Sequence, residues 1–184
     1  LLVQGLFGLG SMSSMNSQTK ELTGIWIPAL KAVGDLNLAL MRYRVNALRL
    51  VVDPSPAAVA RAETILLTRQ QELAQAMSAF EAAITEPEER PIFEKLKQNE
   101  ASYIQNTGRV LAAMKSGDTA AALTIVDTDL NILAEEMTKL LLELGRINRD
   151  GATESATASA EAYSGAQNLV IFSIVTALLI TAVL

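Results

Sequence analysis

The chain contains no cysteine and no histidine. Their absence removes thiol nucleophiles, imidazole bases, disulfide bridges and the usual zinc and haem ligands together. No metal or cofactor is therefore expected. Aromatic residues make up only 4% of the chain, which disfavours strands, where aromatic and β-branched side chains concentrate. Carboxylates remain, but they lie among Lys and Arg as solvated helical faces do. Nothing pairs a nucleophile with a base, so an enzyme is not expected either.

What is present is apolar and helix-forming. Half of the 184 residues are hydrophobic, and Ala, Leu, Glu, Thr and Ser dominate, which predicts one all-α domain. The net charge of −5 repels a nucleic-acid backbone from the molecule as a whole. An anionic partner has to be met by a local cluster of cations.

Helix-breaking signals fall in three places. "DPSP" at 53–56 ends one helix and starts another, because proline disfavours helix in its predecessor and suits the first helical turn. "TEPEERP" at 85–91 makes a second break, with Glu88 and Glu89 placed for a helix N-terminus. "KSGD" at 115–118 makes the third, with Lys115 in a last turn, Gly117 as left-handed terminator and Asp118 as N-cap. Three breaks define four helices. The second (about 56–84) and third (about 88–116) match at about 43 Å for a rise of 1.5 Å per residue, as an antiparallel up-down-up-down bundle requires.

Apolar periodicity fills in the core. Helix four carries Leu123, Val126, Leu130, Leu133, Met137, Leu140, Leu144 and Ile147 at alternating spacings of three and four. Helix two offers Leu66, Leu73, Met77, Phe80 and Ile84; helix three offers Phe93, Leu96, Tyr103, Val110 and Met114. Helix one is read with a seam of Trp26, Leu30, Val33, Asn37, Leu40, Arg44, Ala47 and Val51, and Pro28 is expected to kink it, eased by Gly24.

The ends read as membrane segments. "LLVQGLFGLGSMSSM" at the start and "NLVIFSIVTALLITAVL" from Asn168, with no charge after Glu161, resemble parts of two transmembrane helices. The expected domains are 1–15, the end of a first transmembrane helix; 16–165, a four-helix-bundle sensor domain; and 166–184, the start of a second transmembrane helix.

"MRYRVNALR" places three arginines in an apolar helix. Arg44 falls on the seam as read above, where an unpaired guanidinium requires an acid, an exposed edge, a subunit boundary or a bound anion. Arg42, Asn46 and Arg49 form a second stripe turned away from Arg44. Counting residues down from the distal turns places Asp127 and Thr128, Thr64 or Thr68, and Thr107 level with Arg44. An arginine fork among hydroxyls suits a carboxylate. The alternative is ion pairing to Asp53, Glu63 or Asp127, with arginine stems covering apolar surface.

With four helices bracketed by apolar ends, with "RVNALR" and with "GDTAAALTIVDT", the chain resembles the sensor domain of bacterial methyl-accepting chemotaxis proteins, aspartate receptors in particular. The resemblance implies a bacterial inner-membrane protein whose homodimeric sensor lies in the periplasm. A small organic acid or amino acid would bind between subunits, and a cytoplasmic kinase-coupling domain would follow the second membrane helix. Arg44 of one chain and Arg49 of the other match two of the family's three ligand-holding arginines. The third falls on Asp53, and the family's pocket threonine falls on Asp127, beside Thr128. Two extra acids disfavour an α,β-dicarboxylate, and Arg42 is placed to substitute for the lost charge. The residues leave open a histidine kinase or a diguanylate cyclase as the output, and a periplasmic protein in place of the small ligand.

Overall fold

The computed structural model describes the backbone of residues 2–183 and the side chains of residues 10–176. Its element order is α1 (Leu2–Glu21), a π-helical turn (Leu22–Trp26), α2 (Ile27–Leu48), a 3-10 turn (Arg49–Val51), α3 (Pro56–Ala83), α4 (Glu89–Ser116), α5 (Thr119–Ile125), a second π-helical turn (Val126–Leu130) and α6 (Asn131–Val183). Helix one of the bundle thus comprises residues 2–51 and helix four residues 119–183. The chain divides into two compact units, Ala29–Ile147 and Leu1–Pro28 with Asn148–Leu184.

The first unit is the bundle, and its turns follow the local chemistry of the sequence. Ser55 caps α3 by accepting from the Ala58 amide at 3.4 Å, with Pro56 in the first helical position. Asp53 accepts from the Ser55 amide at 3.0 Å. Gly117 ends α4 at φ 82°, and the Asp118 amide reaches back to the Ala113 carbonyl at 2.9 Å, the Schellman arrangement. Asp118 then caps α5 by accepting from the Ala121 amide at 3.0 Å. At the second break Glu89 does more than favour a helix dipole. It is fully buried, and its carboxylate accepts from the Thr85 and Glu86 amides at 3.4 and 3.3 Å.

The core runs the length of the bundle, with Phe80 against Phe93 at 5.5 Å between ring centroids. The expected core residues of helices two and three are buried, apart from the partly buried Ile84. Two seams need correction. On helix four Leu123 is 43% exposed, while Ala122, Val126, Leu130, Ala134, Met137, Leu141 and Leu144 are buried; Leu133 and Leu140 pack only at the margin. The first four of these are four residues apart, a spacing that drifts around an α-helix of 3.6 residues per turn. The wider π turn at 126–130 absorbs the drift. On helix one the seam is Val33, Leu36, Leu40, Tyr43, Ala47 and Leu50. Asn37 is exposed, and Arg44 and Val51 are intermediate. Arg44 therefore stands at the edge of the seam and Tyr43 within it.

In the second unit the expected kink at Pro28 takes the form of the π turn just before it. Proline offers no amide to the Gly24 carbonyl, and the Ile27 amide bonds to the Leu22 carbonyl five residues back. Trp26 is buried, and its indole N–H donates to Ser155 Oγ at 3.0 Å. The small-residue stretch after Ile147 stays helical, and at Gly151 it packs closely against Trp26. Among the described residues no helix is long and apolar enough to cross a membrane. The membrane segments expected at 1–15 and 166–184 fall in part on residues 1–9 and 177–184, whose side chains lie outside the described residues.

Candidate functional site

Helix one near the distal turn presents three faces. The first is the core seam. Opposite it, Leu38, Met41, Val45, Leu48 and Val52 form an exposed apolar stripe, between 40% and 78% exposed, at spacings of 3, 4, 3 and 4. At 100° per residue Arg42 and Arg49 flank one side of this stripe and Arg44 the other. Arg42 and Arg49 are exposed and Arg44 is half-buried. Asn46, expected beside Arg42 and Arg49, is instead buried, with its amide nitrogen donating to the Arg42 carbonyl at 2.8 Å.

Arg44 lies against helix four, but not at the expected height. Its Nη1 donates to Thr138 Oγ1 at 3.2 Å, and Thr138 in turn donates to the Ala134 carbonyl at 2.7 Å. Asp127 and Thr128 lie in the π turn, both exposed. Thr128 donates to the Thr124 carbonyl and to Asp129, and Asp129 pairs with Arg109 at 3.0 Å. Thr64 and Thr68 are exposed on α3 and bond to their own helix. Side-chain reach accounts for part of the shift from Thr128 to Thr138. A helical side chain leans toward the N-terminus of its helix, here away from the tip, and an extended arginine covers roughly 6 Å, or four residues of rise.

Beneath Arg44 sits a buried pair that the sequence reading missed as part of the site. Tyr43 and Tyr103 meet edge to face at 6.1 Å, and the Arg44 guanidinium lies beside the Tyr103 hydroxyl. Burial raises Tyr103 above the usual tyrosine range, and Arg44 partly offsets the rise. Burial pushes Tyr43 up to about 12, against the Thr107 hydroxyl beside it. Thr107 is buried on the seam as expected and donates to the Tyr103 carbonyl at 2.8 Å. Burial likewise raises Glu100. The signal for Tyr43 was its place one residue before Arg44 on an equally regular seam; Thr138 carried none.

Of the expected acidic partners, Glu63 and Asp53 are engaged elsewhere, and Asp127 forms no ion pair among the described residues. Glu63 pairs with Lys115 at 2.7 Å. Asp53 accepts from the Ser55 amide, and the bonds from Ser55 hold its carboxyl below the usual range. Among the described residues no ion pair is formed by Arg42, Arg44 or Arg49. Three cations thus border an exposed apolar stripe without compensating acids, an arrangement open to an anion.

No curated protein matches the chain. The profile of a family described as a four helix bundle sensory module for signal transduction matches residues 1–163. The match covers helices one to three, every turn described above and helix four as far as residue 163, so the chain belongs to the four-helix-bundle sensory modules of methyl-accepting chemotaxis proteins.

Proposed function

We propose that the chain is the periplasmic sensor of a transmembrane chemoreceptor of the bacterial inner membrane. In this reading a small organic acid or amino acid binds through its carboxylate between two subunits of a homodimer. Residues 1–15 and 166–184 belong to the two membrane helices, 16–165 form the sensor, and the signal passes to a kinase-coupling domain in the cytoplasm.

The observation that carries this reading is the apolar stripe flanked by arginines. Leu38, Met41, Val45, Leu48 and Val52 are exposed at heptad spacing, the pattern by which two helices pack around a two-fold axis. Taking Val45 as position a and Leu48 as d makes Arg44 a g residue and Arg49 the e residue five places on. In a parallel pair the g and e positions of opposite helices face each other, so Arg44 of one subunit meets Arg49 of the other. Two guanidinium groups so placed repel unless an anion lies between them, and a carboxylate matches their fork geometry. Arg42, also at an e position, adds charge nearby.

Signalling requires that the ligand prefer one arrangement of the subunits over another. Arg44 is joined to helix four through Thr138. A carboxylate that draws Arg44 toward the partner subunit changes that bond and so biases the position of helix four. A thermal-shift screen of the chain against organic acids, aromatic acids and amino acids tests the reading. One class is expected to raise the melting temperature, and Arg44→Ala and Arg49→Ala are each expected to abolish the rise. A rise that survives both substitutions would falsify the arginine site.

A further inference from the structure

On the other flank of helix one, a recess of about 320 Å³ opens between the 3-10 turn and the first turns of α3. Its volume sits at the small end of the range of about 300–1,000 Å³ over which proteins hold small molecules. Arg49 from helix one and Arg61 from α3 stand at it together with one carboxylate, Asp53. Val52 and Ile65 supply an apolar wall, 78% and 38% exposed. Asn46 also lines it and is only 8% exposed.

The polar groups around this recess are incompletely used. Asn46 spends its amide nitrogen on the Arg42 carbonyl, and its amide oxygen accepts no hydrogen bond among the described residues. That oxygen is not among the buried atoms left without a partner, and it is open to a donor from a ligand. Arg49 and Arg61 form no ion pair among the described residues, so two cations and one carboxylate leave the recess with a net charge of +1. A monoanion neutralises that charge. A dianion would overshoot it and set its second carboxylate against Asp53.

We propose that this recess is a second ligand site, for an apolar monocarboxylic acid bearing one hydroxyl as hydrogen-bond donor. The ligand's carboxylate bridges Arg49 and Arg61, its hydrocarbon body lies on Val52 and Ile65, and its donor meets the Asn46 amide oxygen or Asp53. All of these residues belong to one subunit. The site therefore needs no partner chain and does not involve Arg44; because it shares Arg49 with the proposed arginine site, Arg44 and Arg61 are the residues that tell the two apart.

Isothermal titration calorimetry of the 184-residue chain with leucic acid, leucine, isocaproic acid and malic acid tests the proposal. Leucic acid is expected to bind, with leucine, a zwitterion without net charge, isocaproic acid, which lacks the donor, and malic acid, a dicarboxylate, each at least tenfold weaker. Arg61→Gln is expected to abolish the binding heat and Arg44→Ala to preserve it. Binding lost with Arg44→Ala but kept with Arg61→Gln assigns the ligand to the shared site and overturns the recess. Leucine, isocaproic acid or malic acid binding as tightly as leucic acid overturns it as well, as does the absence of heat with all four compounds.

Discussion

A Cβ built on Gly151 stands 2.2 Å from Cη2 of Trp26, so the indole occupies the space that any side chain at 151 would need. The same indole donates to Ser155 one turn further along helix four. Glycine in a helix is ordinarily a liability of about 1 kcal/mol relative to alanine. Here it admits the only tryptophan of the chain.

Gly151→Ala is therefore expected to destabilise the protein by about 1–3 kcal/mol, the usual cost of overpacking. Gly108→Ala is the control: Gly108 lies in α4 with nothing within 4 Å of its would-be Cβ, and the change is expected to be stabilising by up to about 1 kcal/mol. Urea unfolding followed by Trp26 fluorescence reads both. Equal stability in the two variants would contradict the close fit.

The buried tyrosine predicts an alkaline limit to stability. Below about pH 10 a tyrosine is neutral in both folded and unfolded chains. From there to about 12, the value to which burial pushes Tyr43, the unfolded chain loses a proton that the folded chain keeps. Stability contributed by neutral Tyr43 is thus present below about pH 10 and falls as the pH rises through that window. Urea midpoints measured across it are expected to fall more steeply for the native chain than for Tyr43→Phe. Parallel pH profiles would show that Tyr43 does not titrate as described.

The turns were legible because each rests on local chemistry. "KSGD" carries its cap and left-handed glycine within four residues and "DPSP" its helix-starting proline, and the structure uses them as read; the Ser55 cap was there to be read and was not. The seams were less so. On helix one, Val33, Leu40 and Ala47 belong to two equally regular alternations, one through Asn37 and Arg44, the other through Leu36 and Tyr43. Period alone does not choose between them, whereas the cost of burying a guanidinium does. On helix four a strict alternation cannot foresee a π turn, which changes the number of residues per turn without any glycine or proline to mark it. The height of Arg44 against helix four depended on side-chain direction, which counting backbone residues leaves out. That direction covers part of the distance to Thr138 and leaves the rest without a structural explanation.

The apolar stripe on helix one predicts the oligomeric state. Val45 lies at its centre, 48% exposed and opposite the core, so Val45→Asp should leave the bundle folded. Buried against a second copy, the new carboxylate would be desolvated without a partner. Sedimentation equilibrium is expected to show a dimer for the native chain and a monomer for Val45→Asp, with unchanged helicity by circular dichroism. An unaltered dimer in the variant would place the subunit contact elsewhere.

If Arg44 faces the partner's Arg49 as proposed, the ligand-free dimer is expected to be weaker than its apolar stripe alone would allow. So placed, the two guanidinium groups would repel, and salt at about 0.15 M screens exposed charges only beyond roughly 8 Å. Arg44→Gln removes one of the two cations on each side while keeping a polar side chain that can bond to Thr138. The dimer of this variant, measured without ligand, is expected to be tighter than the native one by several-fold, and the gap is expected to narrow as ionic strength rises. The same variant loses the thermal shift produced by a carboxylate ligand, because the anion's role between two arginines is gone. A residue that merely held the subunits together would do the opposite, weakening the dimer when replaced. Dimer dissociation constants of the native chain and Arg44→Gln at low and high salt separate the two roles.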